Sequence, residues 1–366
     1  MSTIKVDEIF GDLPTDAVDL PNKLKVGGIL AEQGYTASGS EPSSPNNGDY
    51  WWDTGNDKLY RYMDGGFKEL GVYTAPAGIA WGGDRGIVSG TGSSYNDLLY
   101  FDISGSGGNS ANFGDMTVDR THHSAGGSST RAIFSGGYSS SAPNRSPVMD
   151  YVTPSTPGNC TDFGDLTVGR NVVAAASNGT RLLNAGGYST SGYGNIVDYV
   201  TVANTGNATD FGDLTGVGQG MHGGGVADAT RAVFGGGIGG STTNTIDYFT
   251  IATPGNGTDF GDLLLAVSRN TACSDATRGV FCGGSSAQSY KNMEYITIQT
   301  TGNGTDFGDL LTASNAKACT SNSTIGIHIS GVDMDKFTIQ TPANATDFGD
   351  ILESRVKMGA SSGNAS

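Results

Sequence analysis

Phe113-Gly114-Asp115, Phe163-Gly164-Asp165, Phe211-Gly212-Asp213, Phe260-Gly261-Asp262, Phe307-Gly308-Asp309 and Phe348-Gly349-Asp350 are copies of one box, spaced 41 to 50 residues apart. Upstream of it the likeness continues. An acidic residue stands 13 positions before the Phe in five units (Asp150, Asp198, Asp247, Glu294, Asp335), and Tyr100 takes that place in the first. An aromatic follows the slot five times (Phe101, Tyr151, Tyr199, Tyr248, Tyr295), with Lys336 the exception. Further back lies a run ending in Gly-Gly, seen whole as Arg231-Ala232-Val233-Phe234-Gly235-Gly236-Gly237. Self-similarity at this period marks a stacked or radial repeat, in which no unit buries its apolar faces alone. Phe10-Gly11-Asp12 lacks the upstream pattern and is read as coincidence.

One unit, read from Arg170, shows small and β-branched residues to Ala176, a turn at Ser177-Asn178-Gly179, and a run from Arg181 to Gly186-Gly187. That is a hairpin with an Asn-Gly turn. Ile196 to Val202 is rich in β-formers, and Asn204 to Asn207 turn the chain into a short edge around Phe211. Four strands per unit, apolar on both faces, predict an all-β fold: a six-bladed β-propeller over residues 75–366. Arg170, Gly186-Gly187, Asp198-Tyr199 and Phe211 resemble the landmarks of kelch repeats, with Phe in place of the usual Trp. The resemblance implies a kelch-like propeller; it implies no particular activity, because such propellers serve many roles. Two segments compete to complete the first blade beside Arg85 to Gly90: Ser354 to Met358, in which Arg355 follows Asp350 as Arg170 follows Asp165, and Gly78 to Trp81.

The formal charge of −16 gives no footprint for a phosphate backbone, so nucleic acid is not an expected partner. Leu263 to Val267, the longest aliphatic run, is too short for a membrane span, and Met1 to Glu8 holds no apolar core of a secretory signal. The expectation is a protein made in a cytoplasm, without membrane insertion. Cys160, Cys273, Cys282 and Cys319 lack metal-ligand spacing and read as free thiols, with a Cys273–Cys282 bridge as the alternative.

Spacing separates scaffold from variable parts. The acidic slot lies 13 residues before the box each time, whereas the interval from the last Gly of the Gly-Gly site to the slot runs 13, 11, 10, 10 and 4 residues across units two to six. In a propeller these loops share one face, and loops on a rigid scaffold carry recognition. Tyr138 to Pro147, Tyr188 to Asn195, Ile238 to Asn244 and Ser285 to Asn292 are rich in Ser, Gly, Asn and Tyr, a composition suited to adaptable hydrogen bonding around aromatic platforms. Tyr138, Asn144, Tyr188, Tyr193, Asn244 and Tyr290 are the candidate ligand-binding residues, with sugars a plausible ligand class; the bland alternative is a set of solvated turns.

Residues 1–74 lack the repeat. Tyr50-Trp51-Trp52-Asp53 and Lys58 to Tyr62 read as an aromatic hairpin, either a small core or a docking surface built on Trp51, Trp52, Tyr60 and Tyr62. Gly48 to Asp53 with Lys58-Leu59-Tyr60 resembles a module of bacteriophage tail and fibre proteins. Ser2 to Ile9 with Leu20 to Gly28 is similar to the start of tail-fibre proteins of marine phages. These resemblances imply a virion location, other tail or fibre proteins as partners, and homo-oligomerisation through this region.

His122, His123, His222 and His328 form no paired motif, and no P-loop, dinucleotide fingerprint or nucleophile elbow is present, so no enzyme is expected. Asn256, Thr258, Asp259 and Asp262 cluster oxygen donors that suit either calcium or turn capping. No cofactor is otherwise expected. The Asn-x-Thr triplets at Asn159, Asn207, Asn256, Asn303 and Asn344 belong to the same turn. The expected function is a phage virion protein presenting a propeller for host-surface recognition, with glycans a candidate target; the alternative is a tail or capsid component making contacts only within the particle.

Overall fold

The computed structural model describes residues 25–26, 29–30, 35–38, 40–45, 49–53, 58–63, 65–71, 83–90, 96–105, 107, 109–140, 143–216, 219–315, 317–355 and 358–363. Among them every regular element is a strand. The chain divides into two compact units, Met1–Gly78 and Ile79–Ser366.

In the first unit Tyr50–Asp53 pairs antiparallel with Lys58–Met63, placing Trp51 opposite Tyr60. The expected hairpin is the middle of a four-stranded sheet, flanked by Gly66–Gly71 and, in parallel, by Tyr35–Ser38. Trp51 is buried, stacking on Tyr60 at 4.8 Å and meeting Phe67 edge-on at 5.4 Å. Phe10-Gly11-Asp12 and Thr54 to Asp57 lie outside the described residues.

The repeats build antiparallel four-stranded sheets in a β-propeller-like arrangement. Unit two is Ser124–Ser128, Arg131–Ser135, Val148–Val152 and Thr161–Asp165; unit three is Ala174–Ser177, Arg181–Ala185, Ile196–Thr201 and Thr209–Asp213. Units four and five follow the same order from Gln219–Ala227 and Thr271–Ser274. A side chain sets each first hairpin: Asn178 Oδ1 accepts from the N–H groups of Thr180 and Arg181, as Asp228, Asp275 and Asn322 do in their units. In unit six, Ile325–Thr338 turns at Gly331 (φ 72°) and supplies both middle strands, so the shortest variable interval is hardly a loop.

Two expectations need correction. The strand beside Arg85–Ser89 is Gly359–Gly363, not Ser354 to Met358, with Ala360 opposite Val88. Arg355 does correspond to Arg170, but Arg170 precedes its inner strand, which starts at Ala174, and Gly359–Gly363 likewise starts four residues after Arg355. Gly78 to Trp81 lies outside the described residues. In unit one, Leu99 faces Asn112 and Tyr100 faces Ala111, as Asp150 faces Asp162 and Tyr151 faces Thr161. Leu99 therefore holds the acidic slot, and Tyr100 is the aromatic that follows it. The connection to the box in unit one is one residue longer, which made Tyr100 look like the slot.

The core is divided. Each of six clusters of buried side chains joins the sheets of two units: one and two, two and three, and so on, with Val88, Leu99 and Phe101 of unit one meeting Ile327, Ile329 and Phe348 of unit six. The inner strands line a cavity of about 160 Å³ with small residues such as Gly126, Ala175, Gly225 and Ser274. All four cysteines are free; Cys273 faces Val280 and Cys282 faces Thr271, so the two are not cross-strand partners.

Candidate functional site

The box belongs to the joints between sheets. Its Phe is buried in every unit. In unit three Tyr199 meets Phe211 edge-on at 5.5 Å, and Arg181 lies over Tyr199 at 4.7 Å and donates to the Ile251 carbonyl of unit four at 2.8 Å. Arg85, Arg131, Arg231 and Arg278 repeat this stack and this reach into the following unit. The Asp contributes its backbone: Asp165 N–H donates to Asn207 Oδ1 at 3.0 Å, and Asp165 O accepts from Ala208 N–H at 2.7 Å. The same bond ties Asp115 to Asn159, Asp213 to Asn256, Asp262 to Asn303 and Asp309 to Asn344. Asn256 Oδ1 is thus engaged within the scaffold. Among the described residues no group of three or more His, Cys, Asp or Glu side chains is placed to hold a metal ion.

The box Gly has a steric reason. At Gly308 (φ 136°) a Cβ would stand 2.5 Å from the Ala343 carbonyl oxygen of the next unit. Only glycine combines that backbone angle with so close an approach.

The slot acid ties its sheet to the segment after the preceding box. Asp198 accepts from Thr167 N–H and Oγ1 at 3.0 and 2.7 Å and pairs with the buried Arg170 at 2.6 Å. Asp150 pairs likewise with Arg120 at 2.8 Å, while in unit one, where Leu99 holds the slot, Arg355 pairs with Asp97 instead. Units five and six carry Val267 and Ser314 where Arg170 stands, and Gly218 of unit four lies outside the described residues. Asp247, Glu294 and Asp335 are accordingly buried with hydrogen-bond donors and, among the described residues, without an ion pair, and burial pushes all three above the usual carboxylate range, Glu294 to about 7.

The histidines are mostly interior. His123 Nε2 meets Ser89 Oγ, and burial holds the ring well below its ordinary pKa. His328 Nε2 lies 3.2 Å from Ser314 Oγ, with its pKa pushed down to about 3 by burial. Such rings are neutral at physiological pH. His122 Nδ1 lies 3.0 Å from Thr121 Oγ1, and the His222 side chain lies outside the described residues.

The variable loops join the second and third strands of their sheets, and two of them interlock. Arg170–Asn171 pairs with Tyr188–Ser189, which pairs with Gly192–Tyr193, a small sheet of its own beside unit three. Tyr138 bridges Arg145 across the preceding loop, and Asn144 Nδ2 donates to Tyr138 Oη at 3.4 Å. The Arg145 guanidinium lies 4.5 Å over the Tyr188 ring, and Tyr188 meets Tyr193 edge-on at 5.0 Å. Tyr138, Arg145, Tyr188 and Tyr193 thus form one row across two loops. Its ends are open, with Tyr138 39% and Tyr193 41% exposed.

The structure gathers four expected residues, Tyr138, Asn144, Tyr188 and Tyr193, and separates two. Asn244 is structural: its Nδ2 donates to Leu263 O at 3.3 Å and its carbonyl accepts from Leu263 N–H. Tyr290 packs against the core of units four and five, its hydroxyl 2.9 Å from Ser286 Oγ. Arg145 was not singled out from the sequence, although the four loops hold only two cations, Arg145 and Lys291. In the other unit Trp51 serves its own sheet's core, Tyr60 and Tyr62 are half-buried, and the Trp52 side chain lies outside the described residues.

No family model and no curated protein matches this chain.

Proposed function

We propose that the repeats form a closed six-bladed propeller of the kelch kind, and that the protein is a non-enzymatic component of a bacteriophage tail or tail fibre that recognises a host-surface glycan. The antiparallel pairing of Gly359–Gly363 with Arg85–Ser89 and the core shared by units six and one support closure. So do the serines at the far end of the inner strands. Ser177, Ser274, Ser321 and Ser362 each donate their hydroxyl to a carbonyl of the preceding inner strand, and Gly127 and Ala227 fill the remaining two places.

The observation that carries the recognition reading is the row Tyr138–Arg145–Tyr188–Tyr193. Tyrosine offers a large apolar face with a polar tip and few rotors to freeze, which suits the flat faces and hydroxyl rims of sugar rings. The phage reading rests on the N-terminal segments that resemble tail-fibre modules, and it makes residues 1–74 the attachment and oligomerising region. A glycan array probed with the full-length chain tests recognition: binding to envelope saccharides supports it. No binding, together with these loops buried in a particle reconstruction, would favour a component that contacts only its own particle.

A further inference from the structure

Arg145 gives the row a charge preference. The chain carries −16 overall, and the variable loops hold one other cation. Lys291, the second cation of the variable loops, pairs with Asp309 at 3.0 Å, and Arg120 and Arg170 are buried against Asp150 and Asp198. Arg145 pairs with no carboxylate among the described residues, and its Nε is buried without a hydrogen-bond partner. Its plane is held by the Tyr188 ring, a cation–π contact that fixes the guanidinium while leaving its charge unneutralised. A planar fork held in this way matches a carboxylate, with which arginine forms paired, charge-assisted hydrogen bonds.

We propose that the ligand of this row is an acidic saccharide, a uronic or sialic acid, whose carboxylate pairs with Arg145 while its ring faces cover Tyr138 or Tyr193. This rests on the glycan reading above and specifies it. Tyr138 is the bridge partner of Arg145, so its side chain stands beside the guanidinium, as cross-strand partners do. Tyr193 continues the platform beyond Tyr188. The negative net charge opposes anions at long range but is screened within about 8 Å at physiological salt, so selection falls to the short-range pair.

The test uses the full-length chain on an array carrying uronic-acid, sialic-acid and neutral oligosaccharides, each acid paired with its methyl ester. Methyl esterification removes the charge, keeps the ring and needs no protein variant. The expected result is binding of an acid at least about tenfold tighter than its ester, the loss that follows from one charged hydrogen-bonding partner. Arg145→Ala should abolish the acid-over-ester preference, the ratio of the two affinities being the readout, and Arg145→Lys should retain part of it; the melting temperature of each variant checks folding. Equal binding of acid and ester, or an Arg145→Ala protein that still prefers the acid, overturns the proposal. Binding of neutral sugars alone overturns it while leaving the glycan reading intact, and no binding to any sugar overturns both.

Discussion

Asp165 and Asn207 stand 42 residues apart in sequence and meet across a joint between sheets, the Asp165 N–H donating to Asn207 Oδ1 at 3.0 Å. This relationship recurs at four other joints and accounts for two sequence patterns together: the Phe-Gly-Asp box and the Asn-x-Thr turn are the two halves of one contact. Asn207→Ala is expected to lower stability by about 1 kcal/mol, while Asn207→Asp, which keeps the acceptor, should cost less. Urea denaturation of the three proteins checks the order.

The box Gly is the more sensitive half. Gly308→Ala puts a methyl against the Ala343 carbonyl at a positive φ, and a loss of about 1–3 kcal/mol is expected, as for other overpacked sites. Leu311→Ala, on an exposed side chain four residues after the Phe of the same box, should change stability by less than about 0.5 kcal/mol. Comparing the two by thermal melting separates the joint from its surroundings.

Breaking a buried ion pair from one side differs from lacking a pair. Asp198→Ala leaves Arg170 buried without its carboxylate, and a loss of about 3–5 kcal/mol follows. Asp335→Asn, in a unit with Ser314 where that arginine stands, keeps an acceptor for Leu311 N–H and should cost far less. Denaturation midpoints at neutral pH provide the comparison.

Glu294 sets a pH dependence. Its ordinary pKa of 4.5 is raised by burial to about 7 in the folded chain, so the folded state holds the proton more tightly than the unfolded state. Its contribution to stability is therefore complete below about pH 4.5 and is lost as pH rises through about 7, a change on the order of 3 kcal/mol. Glu294→Gln should flatten the stability profile between these values and melt higher than the parent at pH 8. An unchanged profile would show that Glu294 is solvated in the folded chain.

Much of the scaffold was legible in the sequence because it repeats. The box, the aromatic after the slot and the Gly-Gly site recur from unit to unit, and that recurrence reveals them. What was lost lay where the period slips. One extra residue before the box of unit one moved Tyr100 out of the acidic slot and put Leu99 there. Matching Arg355 to Arg170 was sound, yet neither begins an inner strand, so Ser354 to Met358, one of the two segments that competed for the place beside Arg85, lies just upstream of the strand that takes it. The row of the candidate site was half visible. Tyrosine-rich loops suggested platforms, but the stacking of Arg145 on Tyr188 joins different loops and has no signature in spacing.

The central claim, that recognition belongs to the loop row and stability to the box, is tested most directly by a double variant, Tyr138→Ala with Tyr193→Ala, compared with the parent on a glycan array and by thermal melting. Loss of saccharide binding with an unchanged melting temperature is expected, since both side chains lie open at the ends of the row. A variant that binds every sugar as the parent does would contradict it.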